Sequence, residues 1–129
     1  MMRQHPEQIL HEWMDAVNTG NVTALTALYD PAAVLIPTFS SRLLKTPEMI
    51  EDYFVRLGAR DELSVALHEK TVISQSLGDQ FHALSGIYCW RFAIDGELLN
   101  FEARFSYMLD LKRPSPILNH HSSQIPRVI

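Results

Sequence analysis

The residues whose types and spacing allow chemistry lie in the last third of the chain: Arg91, Glu102 and Arg104, and the run His120-His121-Ser122-Ser123. Residues two apart in an extended segment share a face, so Glu102 lies within reach of Arg104, and a paired strand can bring Arg91 beside them. Such a set holds a guanidinium ready for a carboxylate ligand. A histidine titrates near neutrality, so His120 or His121 is a candidate acid or base. Neighbouring strand residues point to opposite faces, however, and the two rings cannot readily converge on one ion. At most one of them looks into any pocket. On the first predicted helix His11-Glu12 is followed by Asp15 where a zinc helix needs a second histidine. Neither Ser122 nor Ser123 sits in a Gly-x-Ser-x-Gly turn. No metal, no cofactor and no hydrolytic serine are expected.

The element that positions the charged set is a hairpin. Asp95-Gly96 separates two segments rich in β-branched and aromatic residues and suits a two-residue type I′ turn. Ile94 then pairs with Glu97, and the register places Ser85, Ile87, Cys89 and Arg91 on one face, opposite Ser106, Arg104, Glu102 and Asn100. The other face holds Tyr88, Trp90 and Phe92 opposite Ala103, Phe101 and Leu99. One face is aromatic and the other charged. As far as the pattern goes, the charged residues form either a solvated ladder outside or one wall of a pocket inside.

Upstream, Pro6 starts an amphipathic helix with Ile9, Leu10, Trp13, Met14 and Val17 on its stripe, closed by Gly20. Asn21 caps a short helix that is expected to end near Asp30-Pro31. Ala33 to Ile36 reads as a short buried strand and Thr38 to Lys45 as a loop. Thr46-Pro47-Glu48 restarts a helix that carries Ile50, Tyr53, Phe54 and Leu57. From Leu63 onward the chain is extended, with Gly78-Asp79 as a turn and a proline-punctuated link before the last strand. The order is an α+β pattern, with helices packed on a curved, largely antiparallel sheet that curls into a cone with a pocket at its wide end. Trp13 is expected to pack in the core, and Cys89 to be a small core residue.

The 129 residues form one domain, 1–129, with a net charge of −4 and no basic run, which argues against nucleic-acid partners. Neither an apolar leader nor a membrane-spanning stretch is expected, and the lone cysteine agrees with a cytoplasmic location.

Several stretches together resemble the nuclear transport factor 2-like superfamily, and within it relatives of the calcium/calmodulin-dependent protein kinase II association domain. They are Leu25-Tyr29-Asp30-Pro31 before Val34-Leu35-Ile36-Pro37-Thr38, the Arg42 loop, Tyr53-Phe54, Glu102-Ala103-Arg104, and His120-His121-Ser122-Ser123 followed by Pro126. The resemblance implies a cone-shaped fold, dimers or larger assemblies through the sheet, and a pocket in which Arg104 faces an acidic ligand. It favours the inward placement of Arg104, Glu102 and Arg91, with Tyr53 and Arg42 at the pocket. The aromatic face of the hairpin would then need a partner subunit to cover it. The isomerase members place a carboxylate base on the early strand, where this chain has Val34-Leu35-Ile36.

Two functions follow as expectations. One is a homodimeric or larger binding and assembly module for a small carboxylate. The other is a cofactor-free isomerase, dehydratase or cyclase, with His120 or His121 as acid/base and Arg104 stabilising negative charge.

Overall fold

The structure, a computed structural model, describes residues 3–126. Helix α1 (Pro6–Asn18) leads to α2 (Val22–Thr26), strand β1 (Tyr29–Ile36) and helix α3 (Pro47–Gly58). Then follow β2 (Asp61–Leu67), a 3-10 turn (Glu69–Thr71), β3 (Ile73–Ser76), β4 (Phe81–Ile94), β5 (Glu97–Asp110) and β6 (Ile117–Gln124). The strands form one sheet in the order β1-β6-β5-β4-β2, with β3 also paired to β4. All pairings are antiparallel except β1 with β6. The helices pack on one side of this curved, unclosed sheet, an α+β arrangement as expected.

Local chemistry sets the helix starts. The Asn21 and Thr46 side chains accept from the backbone N–H of Ala24 and Met49 at 3.0 and 3.2 Å. Both α1 and α3 have proline in the first turn, where its missing N–H costs nothing. The long hairpin is set by Asp95 and Gly96, at φ 51° and 80°, and its register runs unbroken from Ile94↔Glu97 to Phe81↔Asp110. The second helix ends earlier than the sequence suggests, because Tyr29 already enters β1. Pro31 is tolerated within it because β1 is an edge strand.

The faces of the hairpin are the reverse of the expectation. Tyr88, Trp90, Phe92, Phe105 and Tyr107 are buried on the face toward α1, whereas Arg91, Glu102 and Arg104 lie exposed on the outer face. Trp13 of α1 stacks on Tyr88 at 5.3 Å and meets Trp90 and Tyr107 edge-on. Each large side chain so buried contributes roughly 1.5–3 kcal/mol, while a guanidinium in their place would have to shed its hydration. The aromatic face wins the interior. Gly86 allows the closest of these contacts: a Cβ there would lie 2.9 Å from the Phe105 ring, which stacks on Tyr88 at 4.6 Å. Cys89 also departs from expectation, half-buried on the outer face opposite Glu102.

At the closed end, Arg113 ties β1 to the β5–β6 link through Asp30 at 2.8 Å and Asp110 at 2.9 Å. At the wide end the loop after β1 folds inward, with Leu44 bridged to Leu35 and Phe39 packed edge-on against Trp90, Phe92 and Phe101.

Candidate functional site

Alternation along β6 puts His120 inside, 1 % exposed, and His121 outside. The buried ring stacks on Tyr107 at 4.0 Å and is held by hydrogen bonds at both nitrogens. Its Nδ1 lies 2.7 Å from the Tyr29 hydroxyl and its Nε2 lies 3.2 Å from the Tyr88 hydroxyl. The Tyr29 hydroxyl in turn accepts from the Trp13 indole N–H at 3.0 Å.

Proton accounting gives this chain a direction. An indole N–H only donates and a tyrosine hydroxyl carries one proton, so Tyr29 accepts from Trp13 and donates to Nδ1. The neutral imidazole then carries its proton on Nε2 and donates to Tyr88. The opposite tautomer would leave the Tyr29 hydroxyl proton buried without an acceptor. Burial, with a smaller contribution from the charge of His121, pushes the His120 pKa down to about 3, so the ring is neutral near pH 7. Burial likewise raises Tyr29 and Tyr88 well above the usual phenol range, which keeps both as hydroxyl donors.

Tyr88 delivers its own proton into a small polar cluster. Its hydroxyl also faces Ser122, Thr38 and Trp90, and Thr38 and Ser122 are bonded to each other through their hydroxyls. The Trp90 indole N–H is buried and has no partner of hydrogen-bonding geometry among the described residues.

Beyond Phe39 lies an open cleft of about 470 Å³ between the 38–44 loop and α3. Its wall includes Phe39, Arg42, Tyr53, Arg56 and Arg60, with Glu48 and Asp52 as the acidic members. Arg56 pairs with Asp52 at 3.0 Å, whereas Arg42 and Arg60 make no ion pair among the described residues. Arg60 instead sits over the Phe92 ring at 5.4 Å. Tyr53 accepts from the Phe39 backbone N–H at 3.2 Å, and burial raises its pKa to about 12.

The sequence-predicted residues thus divide in two. Tyr53 and Arg42 line the cleft, and His120 lies behind it in the core. Arg104, Glu102 and Arg91 do not join them. Glu102 meets His68 at 2.8 Å, and Arg91 donates to Asn100, its cross-strand neighbour, at 2.8 Å. Tyr29, Tyr88, Trp90, Arg56 and Arg60 were missed. The alternation that put Tyr88 and Trp90 on one face could have found those two, since their polar atoms need partners once that face is assigned to the core.

Comparison with solved structures bears on this architecture. A Xanthomonas campestris protein assigned to the calcium/calmodulin dependent protein kinase II association domains superposes with a TM-score of 0.84 at 25% identity, covering 98% of this chain and 96% of that one. A Streptomyces avermitilis protein assigned as a dehydratase of the NTF2-like family gives a TM-score of 0.79 at 13% identity, with 94% of each chain covered. The epoxide hydrolase/cyclase-like enzyme SalBIII, from pyran ring formation in salinomycin, gives 0.74 at 13% identity, covering 92% of this chain and 89% of that one. The last two likenesses speak to fold alone. The comparison with curated proteins returns no match. The family model described as calcium/calmodulin dependent protein kinase II association domain matches residues 3–126. On that match the chain belongs to the association domain family, built on the nuclear transport factor 2-like fold.

Proposed function

We propose that this protein is a cytoplasmic binding and assembly module that takes a small organic carboxylate in the cleft between the 38–44 loop and α3. The observation that carries the reading is the arginine wall. Arg42, Arg56 and Arg60 share the wall with the carboxylates of Glu48 and Asp52, and Arg42 and Arg60 make no ion pair among the described residues. A planar carboxylate accepts paired hydrogen bonds from a guanidinium, and the aromatic floor at Phe39 and Tyr53 suits the ligand's apolar body. The interior supports binding over acid–base turnover, because a histidine held neutral at pH 7 cannot exchange protons efficiently near its working pH.

The test is a thermal-shift and calorimetric comparison of benzoate with benzamide and benzylamine, repeated on Arg42→Ala/Arg60→Ala. Benzoate should stabilise the wild type selectively, by about 2.7 kcal/mol at a hundredfold excess over its dissociation constant. The double variant should lose that selectivity. Equal stabilisation by benzamide, or selectivity that survives the double substitution, would overturn the reading.

Assembly is proposed through the outer sheet face, where Arg91, Glu102 and Arg104 alternate with the half-buried Ile87 and Cys89. In a two-fold pairing, Glu102 of one copy can meet Arg104 of another. Light scattering should give a dimer or larger species, shifted toward monomer by Arg104→Glu and restored by Arg104→Glu/Glu102→Arg. A monomeric wild type would refute it.

The enzymatic alternative, a cofactor-free isomerase, dehydratase or cyclase, has one observation in its favour: the enclosed relay from Trp13 through His120 ends in a hydroxyl donor at Tyr88. Such a donor stabilises developing negative charge. The reading requires turnover that collapses in Tyr88→Phe while benzoate binding persists.

A further inference from the structure

Among the described residues, the buried side-chain polar atoms without a hydrogen-bond partner are the Tyr107 hydroxyl and the Trp90 indole N–H, and the surroundings of the latter show what it lacks. Trp90 is 2 % exposed, so water does not satisfy it from outside. Its ring packs edge-on against Tyr88 at 5.6 Å, and the Tyr88 hydroxyl beside it also faces those of Thr38 and Ser122. Tyr88 receives the Nε2 proton of His120 and therefore sends its own proton outward into this group. Thr38 and Ser122 each bring one proton and bond to each other. The hydroxyl oxygens have lone pairs to spare, yet among the described residues neither they nor any carboxylate or backbone oxygen stands in hydrogen-bonding geometry to the indole N–H. An unsatisfied buried donor of this kind costs about as much as the hydrogen bond it lacks.

Phe39 links this cluster to the cleft. Its ring packs edge-on against Trp90 at 5.8 Å, and the same side chain forms part of the cleft wall. It is half-buried, lies on a loop, and is held by edge contacts and by its backbone hydrogen bond to Tyr53.

Resting on the carboxylate reading of the cleft, we propose that Trp90, Tyr88, Thr38 and Ser122 form an inner subsite for a neutral acceptor oxygen, so that the ligand is an oxo-acid. Its carboxylate meets Arg42 and Arg60 outside, and its carbonyl oxygen displaces the Phe39 ring and accepts from the Trp90 N–H and Tyr88 O–H inside. A carbonyl suits the subsite better than a second carboxylate, because the subsite offers neutral donors and no cation to offset the desolvation of a charge. A ketone also suits it better than an alcohol, since both groups offered, the Trp90 N–H and the Tyr88 O–H, call for an acceptor, and an alcohol's own proton would need a further one. Discrimination is strong where a site's own donor is left unpaired by the wrong ligand.

The test compares levulinate and its longer-chain homologues with the matching unsubstituted fatty acids by calorimetry. Two-dimensional NMR of the indole N–H signals runs alongside, Trp90→Phe assigning which of the two belongs to Trp90. The best oxo-acid should bind about tenfold tighter than its unsubstituted partner, the size of one net hydrogen bond. The Trp90 indole proton should move downfield, while that of Trp13, already bonded to Tyr29, stays in place. In Trp90→Phe and Tyr88→Phe the preference should vanish with fatty-acid binding retained. Arg42→Ala/Arg60→Ala should weaken both ligand series alike. If oxo-acids and fatty acids bind equally well and the Trp90 signal does not move, the inner subsite is wrong and the carboxylate cleft stands. If neutral ketones bind with the Trp90 shift while no carboxylate binds through the arginines, the cleft reading fails and the subsite survives as a site for neutral carbonyl compounds.

Discussion

Acid should weaken this fold chiefly through His120, and the size of the effect follows from its environment. Its pKa lies near 3, against an ordinary 6.5, because the ring is wholly buried. Between those values the unfolded chain binds a proton at this position and the folded chain binds none. The unfolding free energy therefore rises with pH across that window, by about 1.4 kcal/mol per pH unit. The contribution is complete above the unfolded value and is lost as pH falls toward the folded one, a total of roughly 4 to 5 kcal/mol. That is a large part of the ~5–15 kcal/mol that holds a domain together. His120→Gln isolates the effect, because a glutamine amide can accept from Tyr29 and donate to Tyr88 without titrating. The variant loses the stack on Tyr107 and should be less stable at neutral pH. Its stability should nonetheless decline less steeply on acidification, and the difference between the two profiles removes every other titrating group. Urea unfolding followed by tryptophan fluorescence and far-UV circular dichroism at a series of pH values gives both curves. If wild type and His120→Gln run parallel from about pH 6.5 down to about pH 4, His120 does not carry a depressed pKa and the buried-relay account is refuted.

Three further outcomes test the rest of the architecture, each by equilibrium denaturation. Tyr107→Phe should raise stability by about 1 kcal/mol, because it removes a buried hydroxyl without a partner and keeps the ring stacked on His120. Gly86→Ala should cost about 1–3 kcal/mol, since its Cβ would press on the Phe105 ring and on Thr71 Oγ1, at 2.9 and 3.2 Å. Arg104→Ala in the isolated subunit should change stability by less than about 0.5 kcal/mol, as expected for an exposed side chain; a loss of several kcal/mol would return Arg104 to the interior.

Period-two alternation made the long hairpin readable to the residue, because the Asp95-Gly96 dipeptide fixes the turn and the turn fixes the register. Alternation says which side chains share a face; it does not say which face is inside. The charged set Arg91, Glu102 and Arg104 looked like a pocket wall only while the aromatic set on the reverse was assigned to a partner subunit. Area decides the matter: Tyr88, Trp90, Phe92, Phe105 and Tyr107 against three residues whose charges favour water. Alternation along the last strand did separate the two histidines, but not which was inner, since the link before β6 leaves parity free and the β5–β6 register shifts between Met108 and Leu109. The relay was out of reach for another reason. Its members come from α1, β1, β4 and β6, with sequence separations of 16, 91 and 32, and no local signal couples such positions.

What the relay means for function rests on where its charge is absent. The buried polar or charged side chains are Asp110, His120 and Ser122, and Asp110 is committed to Arg113 at the closed end of the sheet. Among the described residues no carboxylate therefore bonds to His120 to share a proton with it or to stabilise its charged form, unlike the arrangements that tune a histidine for acid–base work. Trp13 feeds a proton donor in at one end and Tyr88 presents one at the other, with the intervening ring locked in one tautomer. Such a chain holds a hydroxyl in a fixed direction, at a place where each added donor increases the demand for an acceptor oxygen. Affinity in a site of this kind comes from donors already oriented before the ligand arrives, so the ordering cost has been met in folding. The outer arginines, by contrast, are exposed and permanently charged, and they can attract any anion. If the cleft takes a carboxylate as proposed, selectivity among anions would reside in the buried, neutral half, with Phe39 as the boundary between the two.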